Sequence, residues 1–204
     1  SFDLSEIGME QDELEEGDRP FKTISLSDDG KQFASLISNF QNKTTSFALI
    51  DRNNNSFKKL AIPAIEKAAN FELRLRDGES VMGLGTDRYL MEEGGKIILG
   101  TGVSNEIYVL DKTYDSLQLI TFNSQLTPNE KSGTYPAEVG DRSQFESYFK
   151  KIQEDINFKG PIYDEEKQVY YRFSYQMVFD DNAEQKENQF FSQPAGATVY
   201  LSVL

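Results

Sequence analysis

Residues 28–37 read DDGKQFASLI, an acidic turn followed at once by an apolar run. The same arrangement recurs at residues 93–99, EGGKIIL, and in looser form at residues 164–173, DEEKQVYYRF. A further apolar run comes later in each unit, at residues 47–51, 107–111 and 199–203. Units of short strands joined by tight turns cannot bury both of their faces alone, so they become stable by stacking on one another. The repeat therefore predicts a series of small stacked sheets.

A strand also precedes each acidic turn, which makes four strands per unit and predicts the blade of a β-propeller. We expect an all-β, β-propeller-like stack of four-stranded antiparallel blades, about three in number. The approximate blades are residues 19–62, 84–122 and 156–204, within a single domain or a fragment of one that covers residues 1–204. Gly30 and the pair Gly94 and Gly95 supply the positive φ that tight hairpins between twisted strands require.

The spacing between units exceeds that of compact propeller repeats, which predicts insertions between the blades. Residues 144–155 are predicted to form one insertion, an amphipathic helix with a capping box that starts at Ser143. Its apolar stripe is Phe145, Tyr148, Phe149, Ile152 and Ile156. Residues 64–69 are predicted to form a second helical turn.

The third unit ends at Leu204, directly after its third strand. Three blades are fewer than the roughly four to eight that close a ring. The sequence therefore favours a longer native chain, with edge-to-edge contact between two copies as the alternative, because unpaired edge strands promote aggregation.

The composition excludes several classes of site. The chain has no Cys and no His, which removes disulfides, thiol catalysis, His-ligated zinc and every triad that needs histidine. A net charge of −13 argues against nucleic acid as a partner. It permits a cationic ligand, a basic partner or divalent metals, or it simply keeps the surface soluble. We predict no cofactor.

Three segments have the composition of ligand sites, and each has a simpler interpretation. The acidic run Glu10, Asp12, Glu13, Glu15, Glu16 and Asp18 is either a clamp for calcium or a basic peptide, or a solvated loop. Asp51 opens a calcium-like D-x-N-x-N loop that lacks its Gly and its terminal Glu, so we predict a hairpin turn and no metal site. The glycines at 83–85 and 100–102 complete no phosphate-binding motif and are typical of bends in strands.

The densest aromatic cluster supplies the candidate ligand-binding site, Tyr163, Tyr170, Tyr171 and Arg172. Strand alternation places Tyr171, with Val169, Phe173 and Tyr175, on one face, and Tyr170 and Arg172 on the other. The cluster is either packing between blades, with Arg172 stacked on a tyrosine, or a platform for a sugar or a peptide. The sequence nominates no catalytic residue.

Residues 156–164, INFKGPIYD, followed by residues 169–173, VYYRF, resemble a segment of uncharacterised bacterial lipoproteins of the Bacteroides type that are predicted to form six-bladed β-propellers. The resemblance implies export to the periplasm or the outer-membrane surface, a longer parent chain, and membrane attachment only through a lipidated Cys upstream of Ser1.

These observations favour a non-catalytic, envelope-associated module that binds or scaffolds a glycan, a peptide or a partner protein. The alternative is a carbohydrate-active propeller enzyme that uses carboxylate or tyrosine chemistry. An oligomer is expected if the chain is complete.

Overall fold

The computed structural model describes residues 15–39, 41–42, 44–78, 80–110, 116–180 and 191–204. Within them the protein is all-β, with four small and mainly antiparallel sheets in a propeller-like arrangement and two short helices. The fold class predicted from the repeat is confirmed at this level. No helix in the described part of the chain is long and apolar enough to cross a membrane.

The first sheet contains the first predicted unit, with its four strands in chain order. They are β1 (Asp18–Ser25), β2 (Gln32–Asn39), β3 (Thr44–Asp51) and β4 (Ser56–Leu60). The acidic turn lies between β1 and β2, where Gly30 has a φ of 64° and the Ser27 hydroxyl accepts hydrogen bonds from the backbone N–H groups of Lys31 and Gln32. The predicted hairpin is therefore confirmed.

The second sheet repeats this design with β7 (Arg88–Glu93), β8 (Lys96–Thr101), β9 (Ile107–Leu110) and β10 (Leu117–Ile120). Glu93 lies opposite Lys96, so only Gly94 and Gly95 form the turn, at φ of 59° and 68°. Positive φ at both central residues is the two-residue turn that matches the twist of paired strands. Residues 111–115, between β9 and β10, lie outside the described residues.

The last sheet is centred on β14 (Val169–Val178). Its other strands are β12 (Asn157–Phe158), β13 (Ile162–Asp164) and β15 (Gly196–Val203). Both β12 and β13 pair with one edge of β14, and β15 pairs with the other. The third acidic turn joins β13 to β14 as predicted. The sheet is nevertheless three strands wide at any point rather than four.

A fourth sheet lies outside the three predicted blades. It contains β5 (Leu73–Asp77), β6 (Ser80–Leu84) and β11 (Glu138–Val139). β5 and β6 form a hairpin, whereas β11 comes from the segment before the last unit and pairs parallel to β5. The predicted count of about three blades is therefore too low, because two insertions that are distant in sequence pair with each other and leave no local repeat.

Both predicted helices are present, as α1 (Pro63–Ala69) and α2 (Arg142–Glu154). The predicted cap of α2, Ser143, lies two residues too late in the chain. Asp141 is the N-cap residue, and its carboxylate accepts a hydrogen bond of 2.9 Å from the backbone N–H of Gln144. The Ser143 hydroxyl bonds to the same carboxylate. An ionised carboxylate accepts hydrogen bonds more strongly than a hydroxyl and suits the positive end of the helix dipole. Asp141 therefore caps the helix in place of Ser143.

The main apolar core lies between the first two sheets and is closed by α1. Leu36 and Phe47 from the first sheet meet Leu99 from the second, and Ile65 of α1 covers them. A second core joins α2 to the fourth sheet through Phe145 and Ile152. The repeated units thus stack directly on one another, and the inserted segments pack around them.

Candidate functional site

The candidate residues predicted from the aromatic cluster separate into three environments. Tyr163 and Tyr170 face each other across the β13–β14 hairpin, with ring centroids 4.9 Å apart. They lie over the Gly94 turn of the second sheet, where an added side chain would collide with both rings. The Tyr170 hydroxyl donates to the Glu93 carbonyl, and burial raises its pKa. This tyrosine pair joins the last sheet to the second one.

Arg172 is buried, with 1% of its surface exposed. Every nitrogen of its guanidinium donates to the protein. Nε bonds to the Lys159 carbonyl at 2.8 Å and Nη1 to the Asn105 carbonyl at 2.6 Å. Nη2 bonds to the Ser104 carbonyl at 3.1 Å and to the Tyr89 hydroxyl at 2.9 Å. A buried guanidinium whose nitrogens all donate within the protein has no surface for a ligand. We therefore assign Arg172 a structural role and exclude it from the ligand-binding site.

Aromatic rings complete the surroundings of Arg172. The guanidinium carbon lies 5.1 Å from the ring centroid of Phe158, 5.8 Å from that of Phe122 and 5.9 Å from that of Tyr89. Burial lowers the pKa of Arg172 and raises that of Tyr89. Arginine nonetheless stays protonated in proteins. The cation is thus held by neutral carbonyl oxygens and ring faces, which ties a loop of the second sheet to β14.

Tyr171 belongs to the opposite face of the last sheet, which we name the open face. Register places Tyr171 opposite both Ile162 and Val203, and strand alternation extends the same face along β14 and β15. The open face consists of Ile162, Tyr171, Phe173, Tyr175, Val199, Leu201 and Val203. The side chains of Val199, Leu201 and Val203 are 59%, 52% and 61% exposed. Nothing in the described residues covers them.

Two lysines flank the open face at its two ends. The Lys167 ammonium lies 5.5 Å from the ring centroid of Tyr171 and pairs with Asp164 at 3.2 Å. The Lys159 ammonium lies 5.5 Å from the ring centroid of Tyr175 and pairs with Asp87 at 2.6 Å. Each lysine is thus positioned over an aromatic ring and neutralised by a carboxylate. The result is an apolar strip with a polar rim at each end.

The other segments singled out in the sequence have structural roles. The Asp51 carboxylate accepts hydrogen bonds from the backbone N–H of Asn53 and from the side chains of Asn54 and Gln32, as expected of a hairpin turn. Glu10, Asp12 and Glu13 of the acidic run lie outside the described residues. Farther along that run, the nearly buried Asp18 pairs with Lys59 at 2.9 Å. Its carboxylate therefore fastens β1 to β4.

One surface feature was not predicted from the sequence. A groove of about 630 Å³ lies between the first hairpin of the first sheet and the second sheet, and its walls include Asp28, Glu92, Lys96 and Gln118. These four residues come from four different strands or turns. No local pattern nominates such a groove, because stacking of two units creates it.

The chain can now be placed among known proteins. The model of the family of domains of unknown function designated DUF4221 matches residues 2–203. The chain belongs to the DUF4221 family. This membership confirms the predicted relationship to an uncharacterised family. A crystal structure of a DUF4221 family member from Bacteroides vulgatus is similar over 94% of this chain and 80% of that chain, at 11% sequence identity and a TM-score of 0.40. No curated protein matches.

Proposed function

We propose that this DUF4221 protein is a non-catalytic binding or scaffolding module that docks a partner protein on its open face. The proposal rests on the exposure of the apolar side chains of that face. Five of the eleven large hydrophobic side chains exposed in the described residues lie on it: Ile162, Phe173, Val199, Leu201 and Val203. Contiguous apolar patches rimmed by polar residues are typical of surfaces where a partner binds.

The chemistry of the open face favours a protein over a glycan. Sugar sites combine an aromatic ring with convergent polar groups that bind the hydroxyls. Here the polar groups nearest the rings, Lys159 and Lys167, are engaged by Asp87 and Asp164. The aliphatic strip on β15 resembles instead the apolar centre of a protein interface.

The electrostatics of Tyr108 and Tyr170 count against tyrosine chemistry, which is one form of the alternative, a carbohydrate-active enzyme. A tyrosine that acts as a nucleophile is activated by a lowered pKa or by an adjacent base. Burial instead raises the pKa of Tyr170, and burial together with the neighbouring Glu106 raises that of Tyr108 to about 12. Both hydroxyls therefore stay protonated and serve as hydrogen-bond donors.

The location of the module is part of the proposal. The resemblance of residues 156–173 to bacterial lipoproteins supports export to the periplasm or the outer-membrane surface, with a lipidated Cys upstream of Ser1 as the only membrane attachment. The six-bladed ring that the resemblance implies has more sheets than the four found in the described residues.

Site-specific photo-crosslinking tests the docking surface. A benzophenone amino acid is placed at Phe173 or Val199 in the full-length protein, in the cells that produce it. The same probe at Phe21, which is 46% exposed on the first sheet, is the matched control. We expect Phe173 and Val199 to give an adduct with the same protein, different from this chain, and Phe21 to give none. The partner adduct should disappear when Leu201→Lys is added.

Three results would overturn the proposal. Equal adducts at all three positions would show that the open face has no special role. Binding to a glycan array that is lost in Tyr171→Ala, without any protein adduct, would establish a glycan-binding module. Turnover of a glycan that is abolished by one Asp-to-Asn or Glu-to-Gln change would establish an enzyme.

A further inference from the structure

The free edge of β15 is the second unusual feature of the last sheet. In the first two sheets the third strand lies between two neighbours: β3 between β2 and β4, and β9 between β8 and β10. β15 pairs only with β14, and no strand among the described residues lies along its other edge. The pairing with β14 continues to Leu204, whose N–H and C=O both bond to Tyr170.

This edge carries none of the usual protections against pairing with another chain. Proteins protect edge strands with charges, prolines and bulges. β1 has Arg19, Pro20 and Lys22 together with a register shift, and β4 has Lys58 and Lys59. β15 has no charged residue and no proline, and its register with β14 is unbroken over eight residues.

The outward hydrogen-bonding groups of β15 follow from the register. Leu204 and Tyr170 exchange both of their hydrogen bonds, so every second residue of β15 from Leu204 backwards faces β14. The residues between them, among which are Val203, Leu201 and Val199, therefore direct their N–H and C=O groups toward the free edge. These are the same residues whose side chains belong to the open face.

We propose that β15 pairs antiparallel with β15 of a second copy of this chain, on a two-fold axis through Leu201. This register places Val199 opposite Val203 of the second copy and lets the two strands exchange about six main-chain hydrogen bonds. Side chains directly opposite each other share a face, so the two open faces join into one apolar surface. The inference rests on the proposed function, because the pairing would join the docking surfaces of two copies into one.

Charge favours this edge as the meeting point of two copies. Each copy carries a net charge of −13, so two copies repel each other over most of their surface. Residues 192–204 contain no charged side chain. The flanking carboxylates Asp87 and Asp164 are neutralised by Lys159 and Lys167. The two strands can therefore meet without placing like charges opposite one another.

Sedimentation and cysteine cross-linking test the pairing. Interfaces this small bind weakly, so we expect a monomer–dimer equilibrium with a Kd of about 1 to 100 μM. Leu201→Lys places two ammonium groups together on the axis and should leave the protein monomeric throughout that range. Leu126→Lys, at a loop residue that is 78% exposed, is the matched control and should keep the dimer.

The chain contains no native Cys, so introduced cysteines report the register without interference. Mixing a Val199→Cys variant with a Val203→Cys variant should give a disulfide-linked dimer under mild oxidation. Either variant alone should cross-link much more slowly, since residue 199 of one copy lies about four residues along the strand from residue 199 of the other, roughly 13 Å.

A monomer at every concentration would overturn the self-pairing, and so would a dimer that persists in Leu201→Lys. Equal cross-linking of the mixed variants and of either variant alone would also overturn it. Pairing of this edge with additional chain of the full-length protein would appear as a monomer whose β15 amides are protected from hydrogen exchange, and it would equally overturn the proposal. Photo-crosslinking at Phe173 is scored separately, so docking of a different partner protein survives the loss of the dimer.

Discussion

The first and last sheets use the same acidic hairpin but differ in what covers their faces. The first sheet buries apolar side chains on both faces, with Leu36 and Phe47 on one and Ile37 and Ile50 on the other. The last sheet buries a polar face around Arg172 and leaves its apolar face open. Repetition of a strand pattern therefore determines the sheet, whereas the neighbours decide which face becomes the inside.

The strongest test of this difference is the replacement of Arg172 by Met. The change removes the donors that occupy the Lys159, Asn105 and Ser104 carbonyls and leaves these oxygens without a partner. We expect the free energy of unfolding to fall by about 3 to 5 kcal/mol. Chemical denaturation measures the loss.

Two further variants serve as comparisons for Arg172→Met. Arg172→Lys keeps the charge but not the planar fork of donors, and we expect it to recover only a minor part of the stability. Arg76→Met, which removes an exposed ion pair with Glu138, is the control and should change stability little. If Arg172→Met behaves like Arg76→Met, the polar face does not hold the last sheet.

A matched pair of leucines compares the two apolar faces directly. Leu36 is fully buried in the first sheet, and Leu201 is 52% exposed in the last. We expect Leu36→Ala to lower the free energy of unfolding by about 2 to 5 kcal/mol. Leu201→Ala should lower it by about 1 kcal/mol or less at concentrations where the protein is monomeric. Equal losses would mean that the open face is covered within one copy.

Acid should weaken the first sheet before the last one. Burial raises the pKa of Asp18, but hydrogen bonds from Lys59 and Asn39 outweigh it, and the pKa lies below its ordinary value of 3.8. The stabilisation by Asp18 is therefore complete above about pH 4 and is lost as the pH falls through the lowered pKa. Arg172 keeps its charge over that range.

The difference in unfolding free energy between wild type and Asp18→Asn measures this effect. We expect about 1 to 3 kcal/mol at neutral pH, shrinking toward zero in acid. Hydrogen exchange near pH 3 should show β1 opening before β14. A difference that stays constant from pH 6 to the acid limit would contradict the assignment.

The smallest effect on stability should come from the edge of the first sheet. Lys58→Val removes one of the charges on β4, and we expect a change in stability within about 0.5 kcal/mol. Self-association should rise, because the edge of the first sheet then resembles that of β15. Sedimentation in the Leu201→Lys background isolates this new contact. No added association would mean that edge charge does not limit pairing in this protein.

Much of the local structure could be predicted because its causes are local. The acidic turns with Gly30, Gly94 and Gly95 fall where the sequence places them, and so do α1 and α2. The N-cap of α2 was misplaced by two residues, at Ser143 instead of Asp141, because both residue types cap helices and only the geometry shows which one does. The β5–β11 pairing has no local cause, since its strands lie about 60 residues apart and β11 has only two residues.

By itself the sequence determined the acidic hairpins and which side chains of β14 share a face, because turn residues and the alternation of side chains along a strand act regardless of surroundings. Only the tertiary structure decided which of those faces is buried. Hydrophobicity favours burial of Tyr171 and Phe173 over that of Arg172 and Ser174. The opposite occurs because carbonyl groups of the second sheet and the rings of Tyr89, Phe122 and Phe158 converge on Arg172. A buried cation becomes stable when its hydrogen bonds are satisfied, and those acceptors come from residues about 70 positions earlier in the chain.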